Sequence, residues 1–323
     1  MRSHEYQFRL VELRQVLGLP MAVVVGLVFV MHLADFTGLL PDPRPLLDMD
    51  RTILFHQASA ARTPQKADLL LLGDSSCLMD VSAPALGRLA DRSALNLGTL
   101  SYVDLAADAA LLRAYAASNP GRLRTVVLLL HPTTLRLGQQ SGYHSELVWR
   151  FLSRADLPGA GFESWLGLDL LRGRLLARLL PVPLPGLYGA TYGFTWDLWR
   201  HLDAHSGSLT DPGRYDPLAP MGSAEFRLAG GWEGACAVLH AAVPSGVTLA
   251  VGVTPCPASF VRPETAQSCR TLLTTLGQWL RADVVLTNLP LMLPDQQFAS
   301  LTHLNAQGTP QFTSTLAGLL KQK

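Results

Sequence analysis

Four consecutive leucines run directly into Gly-Asp-Ser-Ser-Cys within LLLLGDSSCLMDV, residues 69–81. An apolar run this continuous offers no polar face to water. As a strand it must be covered on both sides, the environment of a parallel sheet flanked by helices. The pattern recurs. TVVLLL (125–130) and GVTLAVGV (246–253) are equally apolar, and ADLLLLG (67–73), ALNLG (94–98) and ADVVLTN (282–288) complete the strand candidates. Helical patterns lie between them: APALGRLA (83–90), DLAADAALLRAYAAS (104–118), and segments near 231–243, 264–281 and 306–320. This alternation predicts an α/β fold built on a parallel sheet covered on both faces.

Residues 137–229 break the rhythm and read as a helical and irregular insertion within one domain. They hold Trp149, Trp165, Trp196 and Trp199. LDLLRGRLLARLL (168–180) gathers leucines beside Arg172, Arg174 and Arg178. It fits a helix on a membrane surface or, as apolar stripes ordinarily mean, a helix packed on the core. PVPLPGLYGATYGF (181–194) reads as irregular structure.

Residues 16–34, VLGLPMAVVVGLVFVMHLA, carry no ionisable side chain except His32. A helix over this stretch reaches about 28 Å at ~1.5 Å per residue, close to the thickness of a bilayer core. Arg2, Arg9 and Arg14 precede it, and Asp35, Asp42, Asp48 and Asp50 follow. The positive-inside rule then predicts a cytoplasmic segment 1–15, a transmembrane anchor 16–34, a linker 35–65 and an extracytoplasmic domain 66–323 with its insertion at 137–229. The location implied is a bacterial inner (cytoplasmic) membrane crossed once, with the domain in the periplasm or outside the cell. A cleaved signal peptide is the rival, but its apolar region is ordinarily only about 7–15 residues. The prolines of PDPRPLLDMD (41–50) favour extended chain. Mean hydropathy of +0.21 agrees with membrane contact, and a formal net charge of +1 gives no general electrostatic case for nucleic acid.

An oxidising compartment permits disulfides. Cys256 and Cys269 flank CPASFVRPETAQSC and are the candidate pair; the alternative is that these two, Cys77 and Cys236 are all buried free thiols. No Cys-x-x-Cys or His-rich spacing suggests a metal, and no cofactor is expected.

Ligands of open parallel sheets bind at the carboxyl ends of the strands. Those ends read Gly73-Asp74-Ser75-Ser76, Asn96-Leu97-Gly98-Thr99 and His131-Pro132-Thr133-Thr134. A further polar cluster, FASLTHLNAQG (298–308), precedes the last helix and contains His303. A serine nucleophile needs a base, ordinarily a neutral imidazole, and donors aimed at the developing oxyanion. Ser75 supplies the hydroxyl, His303 the imidazole, and the backbone N–H groups of Ser75 and Gly98 the donors. The plainer reading has Ser75 capping the following helix, Asp74 acting as a structural turn residue, His131 satisfied within its loop and Cys77 packed behind the turn.

Taken in order, these residues resemble the SGNH (GDSL-type) hydrolase superfamily. Gly73-Asp74-Ser75 matches its first block, Gly98 the glycine of its second, and His303 part of its last, Asp-x-x-His. His303-Leu304-Asn305-x-x-Gly308 looks most like the membrane-anchored branch, which works beside membrane-bound O-acyltransferases in polysaccharide acetylation and teichoic-acid D-alanylation. The resemblance covers roughly residues 66–135 and 230–320. It implies a three-layer, doubly wound parallel sheet and acyl transfer by a Ser75–His303 dyad. Two departures stand out. The family acid, three residues before the histidine, is Ser300 here, leaving Ser300, a backbone carbonyl or the more distant Asp295 to orient the ring. The asparagine of the third block is absent, leaving His131, Thr133 or Thr134 as replacement donors.

Two functions follow. One is an esterase or acyltransferase acting on a cell-surface polysaccharide, the insertion's aromatic rings either stacking on sugars or forming ordinary core. The other is an accessory subunit that binds glycan or docks on a membrane-bound O-acyltransferase, which the missing acid and asparagine favour. A soluble secreted lipase fits poorly with the anchor.

Overall fold

The computed structural model describes residues 10–37, 39–40, 48–139, 141–153, 182–218 and 226–321. The chain divides into two compact units. One contains α1 (Leu10–Phe36), whose segment Val16–Ala34 has mean hydropathy 2.4 and is long and apolar enough to cross a membrane. The other spans residues 47–155 and 182–323 and carries the α/β fold.

In that unit β1 (Leu69–Gly73) leads through α3 (Ser75–Asp80) and α4 (Ala83–Ala90) to β2 (Ala94–Asn96). The chain then runs through α5 (Leu105–Ser118) to β3 (Thr125–Leu130). Next come α6 (Tyr143–Ser153), α7 (Gly186–Tyr192), α8 (Thr195–Ala204) and α9 (Trp232–His240) before β4 (Thr248–Val253). After β5 (Cys256–Pro257) follow α10 (Pro263–Trp279), β6 (Val284–Val285), β7 (Met292–Leu293) and α11 (Gly308–Lys321). The main sheet has the order β2-β1-β3-β4-β6 with every neighbouring pair parallel, while β5 and β7 form a separate parallel pair.

Strand alternation explains the leucine run. Leu69 and Leu71 join Val127, Leu129, Leu86, Phe312 and Leu316 in one buried cluster beneath α4 and α11. Leu70 and Leu72 are equally buried and point to the opposite face, where α5 meets β1. The chain leaves β1 for β2 on one side and passes back across β1 to reach β3. This reversal puts the topological switch point at the carboxyl ends of β1 and β3, the usual place for a ligand in such sheets.

Four expectations change. The segment 35–65 is not all linker: α2 (Met49–Arg62) lies within it, capped by the Asp48 carboxylate, which accepts the Arg51 N–H at 2.9 Å. Ile53, Leu54, Phe55 and Ala58 of α2 are buried, and the helix packs on α5, α6 and α8. The proline-rich sequence ends at Pro45, so nothing prevents a helix from Met49 onward. Residues 181–194 are likewise not wholly irregular. Pro185 enters α7 in extended conformation and Gly193, at φ +75°, ends it, a proline-first and glycine-last arrangement suited to a short helix. The strand expected over 282–288 is reduced to Val284–Val285. All four cysteines are buried free thiols, so Cys256 and Cys269 are not bridged. The amphipathic segment 168–180 and Trp165 lie outside the described residues. Trp199, also in the insertion, is half-buried and packs against Phe55 and His56 of α2.

Candidate active site

The turn after β1 is set by Gly73. Its φ is +140°, and a Cβ there would sit 1.8 Å from the Leu129 carbonyl oxygen of β3. Only glycine allows the strand to stay in register and still turn sharply into α3. Asp74 then caps α3. Its Oδ1 accepts from the Ser76 N–H at 2.9 Å and the Ser76 hydroxyl at 2.6 Å, and its Oδ2 accepts the His131 N–H at 2.9 Å. Ser76 Oγ also accepts from the Thr254 hydroxyl at 2.8 Å. Asp74 and Ser76 thus tie together the ends of β1, β3 and β4, which leaves Ser75 as the hydroxyl of this turn directed elsewhere.

His303 arrives from the loop before α11. Phe298 and Leu304, both buried, pair across the loop's base. The Ala299 N–H donates to the His303 carbonyl at 2.9 Å, and Ser300 Oγ accepts the His303 N–H at 3.1 Å. Asp80 at the end of α3 accepts the Leu304 N–H at 2.7 Å. The helix that begins at Ser75 therefore also holds the histidine loop. The result is His303 Nε2 at 2.9 Å from Ser75 Oγ.

The other ring nitrogen, Nδ1, lies 2.7 Å from Asp211 Oδ2. Asp211 belongs to the insertion. The segment carrying it runs beside β2 and α3: the Asn96 N–H donates to the Ser206 carbonyl at 2.9 Å and the Leu209 N–H to the Leu78 carbonyl at 3.0 Å. Gly213 N–H donates to Asp211 Oδ1 at 2.8 Å. Burial pushes the Asp211 carboxyl up, but hydrogen bonds from His303 and the Gly213 N–H outweigh it and hold its pKa below the usual carboxylate value. An ionised Asp211 accepts from Nδ1–H, which leaves Nε2 free to accept the Ser75 proton.

Ser75, His303 and Asp211 thus form a hydrogen-bonded row at the carboxyl edge of the sheet. Asp211 was not singled out in the sequence. Thr-Asp-Pro-Gly (210–213) reads only as a turn, and the contact spans 92 residues of chain.

The other candidates have different places. Asp295 accepts the Ser259 N–H at 3.0 Å and is not the partner of His303. Ser300 shapes the loop through the His303 and Thr302 N–H groups and does not orient the ring. Asn305 accepts from the Gln307 N–H at 2.9 Å and donates to the Gln296 carbonyl at 2.7 Å, fastening the approach to α11. Gly98 must be corrected as an oxyanion donor. Its N–H donates to Asn96 Oδ1 at 2.8 Å, while Asn96 Nδ2 donates to the Cys77 carbonyl at 2.8 Å. Ser101, three residues further on, places its hydroxyl 3.1 Å from Ser75 Oγ. Cys77 is fully buried against Asn96, and burial pushes its thiol well up.

His131 lies behind the turn. Its Nδ1 is 2.6 Å from Thr133 Oγ1 and its Nε2 3.4 Å from Cys256 Sγ. Burial lowers its pKa from 6.5 to about 4, against the opposing pull of Asp74. Its folded pKa is depressed, so between about 6.5 and about 4 the unfolded chain binds the extra proton and stability falls as pH falls. Asp211, also depressed, loses its contribution in the same direction at lower pH. Burial pushes the Asp80 and Asp108 carboxyls up, which acts in the opposite direction, so the contribution of His131 is read as a difference: the urea midpoint should fall less, or rise more, from pH 7 to pH 4.5 in His131→Asn than in wild type. The same pH dependence in His131→Asn and wild type would contradict a buried neutral His131.

Among the described residues no group of three or more His, Cys, Asp or Glu side chains is arranged to hold a metal ion. A groove of about 920 Å³ lined by Lys66, Arg88, Arg122 and Arg124 opens at the amino ends of the strands, away from Ser75. No family model, curated protein or solved structure matches this chain.

Proposed function

We propose that this chain is a membrane-anchored SGNH-type acyl esterase or O-acyltransferase, acting outside the cytoplasmic membrane of a bacterium on a cell-surface polysaccharide. The observation that carries the proposal is the Ser75–His303–Asp211 row, with contacts of 2.9 and 2.7 Å at the carboxyl edge of a parallel sheet. Ser75 Oγ attacks an ester carbon and gives its proton to His303 Nε2, while the carbonyl π pair moves onto oxygen. Collapse expels the alcohol, which takes that proton from His303 and leaves acyl-Ser75. Water or a sugar hydroxyl then loses its proton to His303, attacks the acyl carbon and restores Ser75. Asp211 holds the Nδ1–H tautomer and stabilises the transient imidazolium. The accessory-subunit reading rests on the absent acid at position 300 and the absent asparagine of the third block; Asp211 supplies a carboxylate to the same ring, and the asparagine remains absent.

The α1 helix suits an anchor that keeps such a domain near its substrate, including acyl groups handed over by a membrane-bound O-acyltransferase. The purified full-length chain in detergent should react with a fluorophosphonate, and peptide mapping should place the label on Ser75. A folded protein that stays unlabelled at Ser75 would overturn the enzymatic reading and leave the accessory role.

A further inference from the structure

Acyl transfer needs donors for the oxyanion, and two expected ones are missing. The Gly98 N–H is engaged by Asn96, and the third strand end carries His131-Pro132-Thr133 without an asparagine. The Ser75 N–H, at the first position of α3, has no partner within its helix. One backbone donor alone makes a weak oxyanion site.

The hydroxyl of Ser101 lies within hydrogen-bond reach of Ser75, 3.1 Å from Oγ to Oγ. The single hydroxyl proton of Ser75 is directed at His303 Nε2, so in this second contact Ser101 donates and Ser75 accepts. Ser101 is held in place from behind. Its carbonyl accepts from His144 Nδ1 at 2.9 Å, and His144 Nε2 lies 3.5 Å from the Asp50 carboxylate of α2. The next residue, Tyr102, has φ +69°. A bulky side chain in the left-handed region is strained, and such strain persists only where the surrounding structure enforces it.

We propose that Ser101 is a catalytic residue whose hydroxyl is the side-chain donor to the oxyanion, in place of the Gly98 amide. The proposal rests on Ser75 being the nucleophile. When Ser75 Oγ bonds to the acyl carbon, its proton passes to His303 and the carbonyl π pair becomes the oxyanion, one carbon away from Oγ. Ser75 Oγ is then an ester oxygen and a poorer acceptor. The Ser101 hydroxyl turns about its Cβ–Oγ bond and donates to the oxyanion without giving up its proton. The interaction is stronger in the transition state than in the ground state, the condition for raising kcat.

The test compares Ser101→Ala, Ser101→Cys and Ser101→Thr with Ser75→Ala in the full chain. The readouts are p-nitrophenyl acetate hydrolysis and the second-order rate of fluorophosphonate capture. Alanine should lower kcat by about 10²–10³-fold with little change in KM, and slow capture in parallel. Cysteine, similar in size but a weak donor, should behave like alanine, and threonine should restore most of the activity. Wild-type kcat in Ser101→Ala beside an inactive Ser75→Ala would overturn the role of Ser101 and leave the nucleophile intact. A loss that threonine does not restore, with capture unslowed, would also overturn it. Undiminished turnover in Ser75→Ala would instead overturn the nucleophile on which the proposal stands.

Discussion

Replacing Ser75 or His303 with alanine should each lower acyl-ester turnover on the order of 10⁴–10⁶-fold, and the double variant should be no worse than either alone, because the members of such a pair act as a unit. Asp211→Asn should cost about 10⁴-fold. The amide can donate to Nδ1 and thereby stabilise the tautomer whose Nε2 carries a proton and cannot accept one from Ser75. Asp295→Asn should leave turnover near wild type, since that carboxylate serves the Ser259 N–H. Ser300→Asp should bring no gain, because Nδ1 of His303 already has Asp211 at 2.7 Å. Initial rates on an aryl acetate, with thermal unfolding as a control for folding, would check the whole set. An Asp211→Asn variant as active as wild type would remove Asp211 from the proposed mechanism.

The second large effect is on stability. Gly73→Ala should destabilise the domain by at least about 4 kcal/mol, at the extreme of single substitutions. Its Cβ would fall 1.8 Å from the Leu129 carbonyl oxygen, and the backbone sits at φ +140°. Relief requires separating β1 from β3 at the centre of the sheet, where Gly73 pairs with Leu129. Chemical denaturation of the purified chain would measure this, and a loss under about 1 kcal/mol would show that the turn can move without breaking the ladder. A comparison residue is Gly121, also at positive φ, where a Cβ would meet nothing within 4 Å. Gly121→Ala should cost far less.

Much of the fold was legible in the sequence because its signals are local. Short continuous apolar runs such as TVVLLL, following the turn signal Asn119-Pro120-Gly121, favour a strand buried on both faces, and the structure places β3 at those same residues. APALGRLA coincides with α4 because Ser82 caps it and its apolar spacing follows one helical face. The apolar stretch 16–34 stands out for the same local reason, and α1 contains it. The shortest strands escaped detection, as with β5 and β7, because two residues carry too little pattern, and β6 is shorter than the strand expected over 282–288. The helix α2 was hidden by the neighbouring prolines, although its own sequence is helical.

The site divides along the same line. Ser75 and His303 were readable because each sits in a polar cluster that interrupts an apolar element, a contrast visible within a dozen residues. Their 2.9 Å approach, by contrast, is made by α3, whose first residue is Ser75 and whose last, Asp80, grips the N–H of Leu304. Asp211 and Ser101 left no such local mark. Asp211 reads as a turn aspartate, and Gly98 reads as a free amide donor until Asn96 is seen to occupy it. Hydrogen bonds and apolar periodicity within one element depend on neighbours in the chain, so the sequence by itself determined the strands, the anchor-length helix and the polar strand ends. Which carboxylate meets His303, and which hydroxyl meets Ser75, depends on segments tens of residues apart being packed together. That was decided only by the tertiary structure, in which backbone hydrogen bonds from Asn96 to Ser206 and from Leu209 to Leu78 hold the insertion along β2 and α3, contacts between residues more than a hundred positions apart that leave no local pattern in the sequence.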